Sequence, residues 1–361
     1  MFYRTMLLAC LTISAMNQVS AQEDLIVPQQ YNQITASDAG MCGYETQNSS
    51  CGQQFCCVPN EAYGLHRTSI FGDYLFLTAR QQDLDYATPV DGTTNTAVPV
   101  GQTSVVNPGY RSGYRVGGTI AMDDCTSLYF AWTDFDSEAT NQTALPGGSP
   151  QPNAFLRSEL VHPNTLDVAV DSLAAAAIYG IRFQTADAAY QKRIFGDCNS
   201  RMNASLGFRY GGLDQDLRSR EQILGAVQVN SDIDFKGYGP RFALDYEQCN
   251  DLGLLFYTRG GLSVLAGRFD ASYQQTSIFA GQQARAGISE DRLVPQFDLE
   301  LGTGYQSANG RFRATVGYMY GIWGNVVTMP GFIDGVQADA VRGVSDTLTF
   351  DGLAVRAEIR F

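Results

Sequence analysis

The sequence predicts an all-β protein, a transmembrane antiparallel up-and-down β-barrel of about ten strands (alternative: twelve), preceded by a short Cys-rich N-terminal segment. Three observations carry this. From Ser69 onward apolar and polar residues alternate with a period of two, which gives each strand two chemically different faces. The alternating stretches are about as long as the ~9–11 residues that a tilted strand needs to cross hydrocarbon. Short and long connections follow one another in turn, as in barrels whose turns are short on one side of a membrane and long on the other.

Composition narrows the classes. With 361 residues, 44% hydrophobic and 17% charged, the chain has enough apolar material for a large core or for a membrane-facing coat. A net charge of -13, with no basic run, excludes a nucleic-acid partner, because phosphate is repelled. Past the N-terminus the longest apolar run is "LAAAAIYGI" at 173–181, roughly half of what a membrane-spanning helix needs. The 37 glycines, 19 tyrosines and 20 phenylalanines, with turn residues at regular intervals, favour many strands.

Three segments follow from the pattern. Residues 1–21 read as a secretory signal peptide: Arg4, an apolar stretch from Met6 to Met16, and the small residues Val19-Ser20-Ala21 before the cut. The run "LLAC" is similar to a lipoprotein cleavage box, but cutting at Cys10 leaves too short an apolar stretch. Residues 22–67 form a Cys-rich segment with little periodicity, expected in the periplasm. The barrel is expected over 68–361, with strands near 69–79, 111–123, 126–136, 174–186, 201–211, 235–247, 252–270, 292–306, 310–323 and 348–361. Long polar loops are expected after the odd-numbered strands and short turns after the even ones, which places both termini on the short-turn, periplasmic side.

The faces are consistent from strand to strand. Phe208, Phe242, Leu301 and Ile359 fall on one face of their strands, whereas Arg209, Arg241, Glu300 and Arg360 fall on the other. Periodicity by itself fits a soluble sandwich as well. Aromatic residues at the expected strand ends, namely Tyr110, Trp132, Tyr190, Tyr210, Tyr238, Tyr246, Tyr305 and Trp323, suit a headgroup zone and tip the reading toward lipid.

The stretches "GYGPRFALDY", "LLFYTRGGLSVLAGRFDASY" and "PQFDLELGTGY", with "FGDYLFLTARQQDLDYA" and the closing "FDGLAVRAEIRF", resemble the pore-forming outer-membrane proteins typified by the Legionella major outer membrane protein, a family with planctomycete members. The resemblance runs from about Gly72 to Phe361. It implies a bacterial outer-membrane barrel and a porin-like role, passive diffusion of small hydrophilic solutes or ions. It also implies that the terminal aromatic Phe361 is an insertion signal read by the barrel-insertion machinery. Outer-membrane lipid and small solutes are the other expected partners.

The candidate site is the inner face. Arg115, Arg209, Arg241, Arg311, Arg313, Arg356 and Arg360, with Asp245, Asp298, Glu300 and Glu358, are expected to line the lumen. Unpaired charges there cost several kcal/mol each, so they must meet water or one another. Either the lumen is a wet channel whose selectivity these charges set, or Arg–carboxylate ladders close it. The resemblance favours the channel; the strand count favours closure. A non-conducting structural or adhesive barrel is the alternative function.

No enzyme is expected. The only histidines are His66 and His162, and no nucleophile motif accompanies them. The acidic sets Asp83/Asp85, Asp134/Asp136/Glu138, Asp214/Asp216 and Asp232/Asp234 do not match a calcium loop and read as solvated charge near loop ends. Neither metal nor cofactor is expected. Seven cysteines are expected on the periplasmic side: Cys42, Cys51, Cys56 and Cys57 in the N-terminal segment, and Cys125, Cys198 and Cys249 in turns. Turns lie roughly 10 Å apart, beyond the reach of a disulfide. The N-terminal four are therefore expected to bridge to the turn cysteines or to other copies, giving a disulfide-linked homo-oligomer. The competing reading keeps their bonds local and the turn thiols free.

Overall fold

A computed structural model describes residues 66–92, 97–145, 154–165, 173–196, 199–222, 226–250, 252–278 and 280–361. The chain divides into Met1–Asn48 and Ser49–Phe361, and all described residues belong to the second unit. The expected signal peptide, Cys10, Cys42, Cys51, Cys56, Cys57 and Cys198 lie outside them.

In chain order the strands are β1 (Ser69–Arg80), β2 (Leu84–Asp91), β3 (Val98–Pro99), β4 (Ser104–Val106), β5 (Arg111–Asp123), β6 (Thr126–Ala144), β7 (Ala154–Ser158), β8 (Ala174–Gly196), β9 (Ser200–Gln222), β10 (Ala226–Cys249), β11 (Leu254–Ser277), β12 (Gly281–Gln306), β13 (Phe312–Val326) and β14 (Asp346–Arg360). Ten of them close an antiparallel barrel, in the order β1–β5–β6–β8–β9–β10–β11–β12–β13–β14 and back to β1. The strand number expected from the sequence is the one observed. In a second sheet β2 pairs with β3, β4 and β7.

Lipid-facing polarity is as expected. Phe208 is 70% exposed and its neighbour Arg209 5%; Phe242, Leu301 and Ile359 are likewise exposed, and Glu300 and Arg360 buried. On β9 the outward oily run extends from Met202 to Tyr210. At ~3.3 Å per residue and the usual tilt of ~35–45° this makes a band about 20 Å tall. Tyr114, Trp132, Tyr210 and Tyr238 are exposed along its upper edge, with Tyr190, Tyr246 and Tyr305 toward the short turns.

Three expectations need correction. First, several strands run well past the membrane band, 23 to 26 residues each from β8 to β12. The long loops expected after the fifth and seventh barrel strands are instead largely strand: β9 runs to Gln222 and β10 starts at Ala226, and β11 runs to Ser277 and β12 starts at Gly281. The reason is a change of phase. Above the band the apolar residues move to the inner face, as with Leu213 and Leu217 on β9 and Val229, Ile233 and Phe235 on β10, while Asp214, Asp216, Asp232 and Asp234 move to the outer one. The alternation never stops; its polarity reverses.

Second, Trp323 is not a rim residue. It is 3% exposed, points inward and packs on Phe183 with ring centroids 6.1 Å apart.

Third, the connection after β13 contains a helix, α1 (Met329–Gln337). Thr328 caps it, accepting from Gly331 N, and Pro330 opens it, where its missing N–H costs nothing. Met329, Phe332, Ile333 and Val336 face the core.

A glycine row marks the level at which polarity reverses. Gly237 is the direct partner of both Gly211 and Gly267. A Cβ on Gly267 would lie 2.5 Å from Gly237 Cα and 2.7 Å from Phe235 Cε2, so the Phe235 and Phe269 rings, stacked at 4.4 Å, need the row to be bare.

Phe208→Arg is expected to cost about 2–4 kcal/mol by placing a charge against lipid. Urea unfolding from lipid vesicles measures it; no loss would mean that this face does not meet hydrocarbon.

Candidate functional site

Inside the barrel, the half nearer the short turns is ionic and the other half apolar. Counting away from the short turns, the first ionic layer centres on Glu247 of β10. Arg313 of β13 donates to it through two nitrogens, at 2.5 and 3.0 Å, and Arg201 of β9 at 2.7 Å. Arg360 and Glu358 of β14 pair alongside at 2.8 Å.

The second layer crosses the bore. Arg115 of β5 donates to Asp73 of β1 at 2.5 Å and to Glu300 of β12 at 2.6 Å. Arg356 of β14 grips Asp73 at 2.6 and 2.8 Å. Glu300 also accepts from Arg259 and from the Tyr257 hydroxyl. The third layer joins Arg209 of β9 to Asp187 of β8 and Asp298 of β12, with Arg241 of β10 donating to Asp298 at 2.8 Å. Asp245 accepts from Gln191 Nε2 at 3.0 Å.

Ten of the eleven inner-face residues singled out in the sequence thus stand inside the barrel. Arg311 does not: it is exposed in the turn before β13, where the pleat has ended. Sequence reasoning missed Asp73, Asp187, Arg201, Glu247 and Arg259, which complete the network. The alternation that placed Asp245 inside also places Glu247 there, two residues on.

Above the third layer the bore is filled. Phe183 meets Phe350 at 4.5 Å and Phe135 at 5.4 Å. Over them lie Leu84, Tyr86, Leu156 and Leu160 of the small sheet and its flank, and the apolar face of α1. Polar contacts tie this cap to the wall: Gln215 of β9 donates to Val327 O and accepts from Met329 N, each at 2.9 Å, and Tyr273 of β11 donates to Leu160 O. Cavities remain below. One of about 130 Å³ extends from His66 and Arg67 past the first two layers; one of about 40 Å³ ends at Phe183, Trp323 and Phe350.

The remaining candidates lie elsewhere. The acidic sets other than Asp83/Asp85 are on outer strand faces above the lipid band, and Asp214 stands directly opposite Asp234, and Asp216 opposite Asp232. They belong to strands, not to loop ends. Among the described residues no group of His, Cys, Asp and Glu has metal-binding geometry. His162 Nε2 lies 3.1 Å from Asp339 Oδ1 on the cap. Cys249 is free and buried. Cys125 is disulfide-bonded, so the reading that left every turn thiol free is corrected.

His66, just outside the first strand, contacts Ser127 Oγ through Nδ1 at 2.8 Å. Burial, then the charges of Arg201 and Arg193, lowers its pKa to about 4 from 6.5.

A sequence-profile comparison adds to this geometry. The lipid band, the closed ten-stranded sheet and the strand pattern define an integral outer-membrane β-barrel. The chain belongs to the family of the Legionella pneumophila major outer membrane protein precursor, which it matches over residues 58–361. No curated protein matches it. Among solved structures, the outer membrane protease OmpT of Escherichia coli is similar with 8% identity and a TM-score of 0.43, covering 84% of this chain and 100% of that one. The Pseudomonas putida toluene transporter TodX is similar with 7% identity and a TM-score of 0.26, covering 82% and 90%. A Pseudomonas aeruginosa FadL homologue gives 8% and 0.23, covering 81% and 90%.

Two outcomes are expected. Glu300→Gln removes the buried carboxylate that Arg115, Arg259 and Tyr257 share and should cost about 3–5 kcal/mol, against under about 1 kcal/mol for Asp270→Asn at the exposed Arg268 pair; chemical unfolding in detergent compares them. For His66 the unfolded chain binds the extra proton between pH 6.5 and about 4, so its stability contribution is intact above 6.5 and lost as pH falls toward 4. His66→Gln should flatten that stretch of the stability–pH curve, by on the order of 2 kcal/mol; an unchanged slope would count against a buried neutral ring.

Proposed function

We propose that this outer-membrane barrel is a non-conducting envelope protein, a lipid-seated cylinder that carries a folded cap on the side away from its short turns. The observation that supports it is the apolar cap core above Phe183, Trp323 and Phe350, reinforced by ion pairs that cross the bore. In a ten-stranded barrel side chains suffice to fill the interior. In this reading the short turns and both ends of the chain face the periplasm, the cap faces outward, the oily band contacts outer-membrane lipid, and Phe361 serves the insertion machinery. Bridges from the N-terminal cysteines to other copies would knit such barrels into a coat.

A second reading is a porin-like pore passing small hydrophilic solutes or ions. What favours it is the polar lower bore, where the two cavities share Arg115, Tyr129, Arg241, Asp298 and Met319; displacing the cap would join them to the outside. Planar-bilayer recording of the purified protein decides between them. Silence is expected, and steady ohmic steps from the unmodified protein would overturn the closed reading in favour of the pore.

A further inference from the structure

We propose that the larger cavity in the bore binds a small doubly charged oxyanion, with inorganic phosphate its simplest occupant. Eight arginines and five carboxylates line this space. Asp73, behind Arg115 and Arg356, supplies a sixth carboxylate, and the nearby Asp187 is matched by Arg209. Among the described residues two positive charges remain in excess, one of them Arg67 at the mouth, inside a chain whose net charge is -13.

Arginine cannot shed its proton, and an uncompensated buried charge is costly. Among the described residues no further carboxylate lines the cavity, and an anion from solution would supply the missing negative charge. A dianion supplies it, and the planar forks of arginine recognise oxyanions through paired N–H donors. A donor is also left over: Arg313 lines the cavity, is fully buried, and its Nε lacks a hydrogen-bond partner.

Size limits the occupant. About 130 Å³ is room for a few waters at ~30 Å³ each, well short of the roughly 300–1,000 Å³ of sites for drug-sized ligands. Arg67 at the mouth adds positive potential for capture. Asp245 opposes the binding. It lines the cavity, and among the described residues it has no ion-pair partner within 4 Å.

The test is calorimetric titration of the full chain in detergent with inorganic phosphate, chloride holding the ionic strength constant. Saturable binding at one site is expected. Asp245→Asn, isosteric and at a position that belongs to none of the ion pairs, should tighten it about tenfold, and Arg259→Gln should weaken it by at least as much. Absence of saturable binding to the unmodified chain would overturn the proposal, as would an affinity that Asp245→Asn leaves unchanged. The titration reads binding alone, so it stands whichever way the bilayer recording falls.

Discussion

A β-strand keeps its pleat as it leaves the bilayer, so the face a residue occupies is fixed by parity while the solvent at that face changes from lipid to water. Every long strand of this barrel must therefore reverse its pattern at the edge of the hydrocarbon. On β9 the reversal falls at Gly211 and Gly212, between Tyr210 facing lipid and Leu213 facing the core; on β10 it falls at Lys236 and Gly237. The partnership of Gly211, Gly237 and Gly267 across three strands aligns these reversals in one plane. Below that plane the barrel is ionic inside and oily outside, and above it the reverse holds, as in a water-soluble barrel.

The lower interior follows from the same constraint. Once the oily side chains are committed to lipid, the inner positions must be filled by small or polar residues, and polar ones survive burial only in company. Shared carboxylates supply it: Glu300 holds Arg115 and Arg259 together, and Asp298 does the same for Arg209 and Arg241. Because all of these contacts except Arg259–Glu300 join strands that are not neighbours around the barrel, they brace the wall across its diameter and subdivide the bore. The upper interior, facing no lipid, is free to use the cheapest filling, an aliphatic and aromatic core. The two halves meet at Phe183, Trp323 and Phe350, and the proposed absence of conduction depends on that junction.

Much of the barrel was legible in the sequence because a period of two is a local property. Phe208 and Arg209 declare opposite faces without reference to any other strand, and ten such stretches, separated by Gly, Asn and Asp turns, give the strand number. The same signal continues through Leu213, Leu217, Val229 and Ile233, yet in a loop-sized stretch rich in Asp and Gln it is easily taken for polar connection. The inner charges were legible in part: Arg311 was wrongly included, where the turn ends the alternation, and Asp73, Asp187, Arg201, Glu247 and Arg259 were missed although they obey the same parity rule.

The sequence by itself determined the strand count, the two faces of each strand and the lipid-facing band, since each rests on neighbours along one chain segment. Only the tertiary structure decided which arginine meets which carboxylate, that α1 and the small sheet fold into the mouth, and that Trp323 turns inward. Those outcomes depend on register and closure, which bring residues as distant as Arg115 and Glu300 to 2.6 Å; no local pattern encodes a distance across a bore.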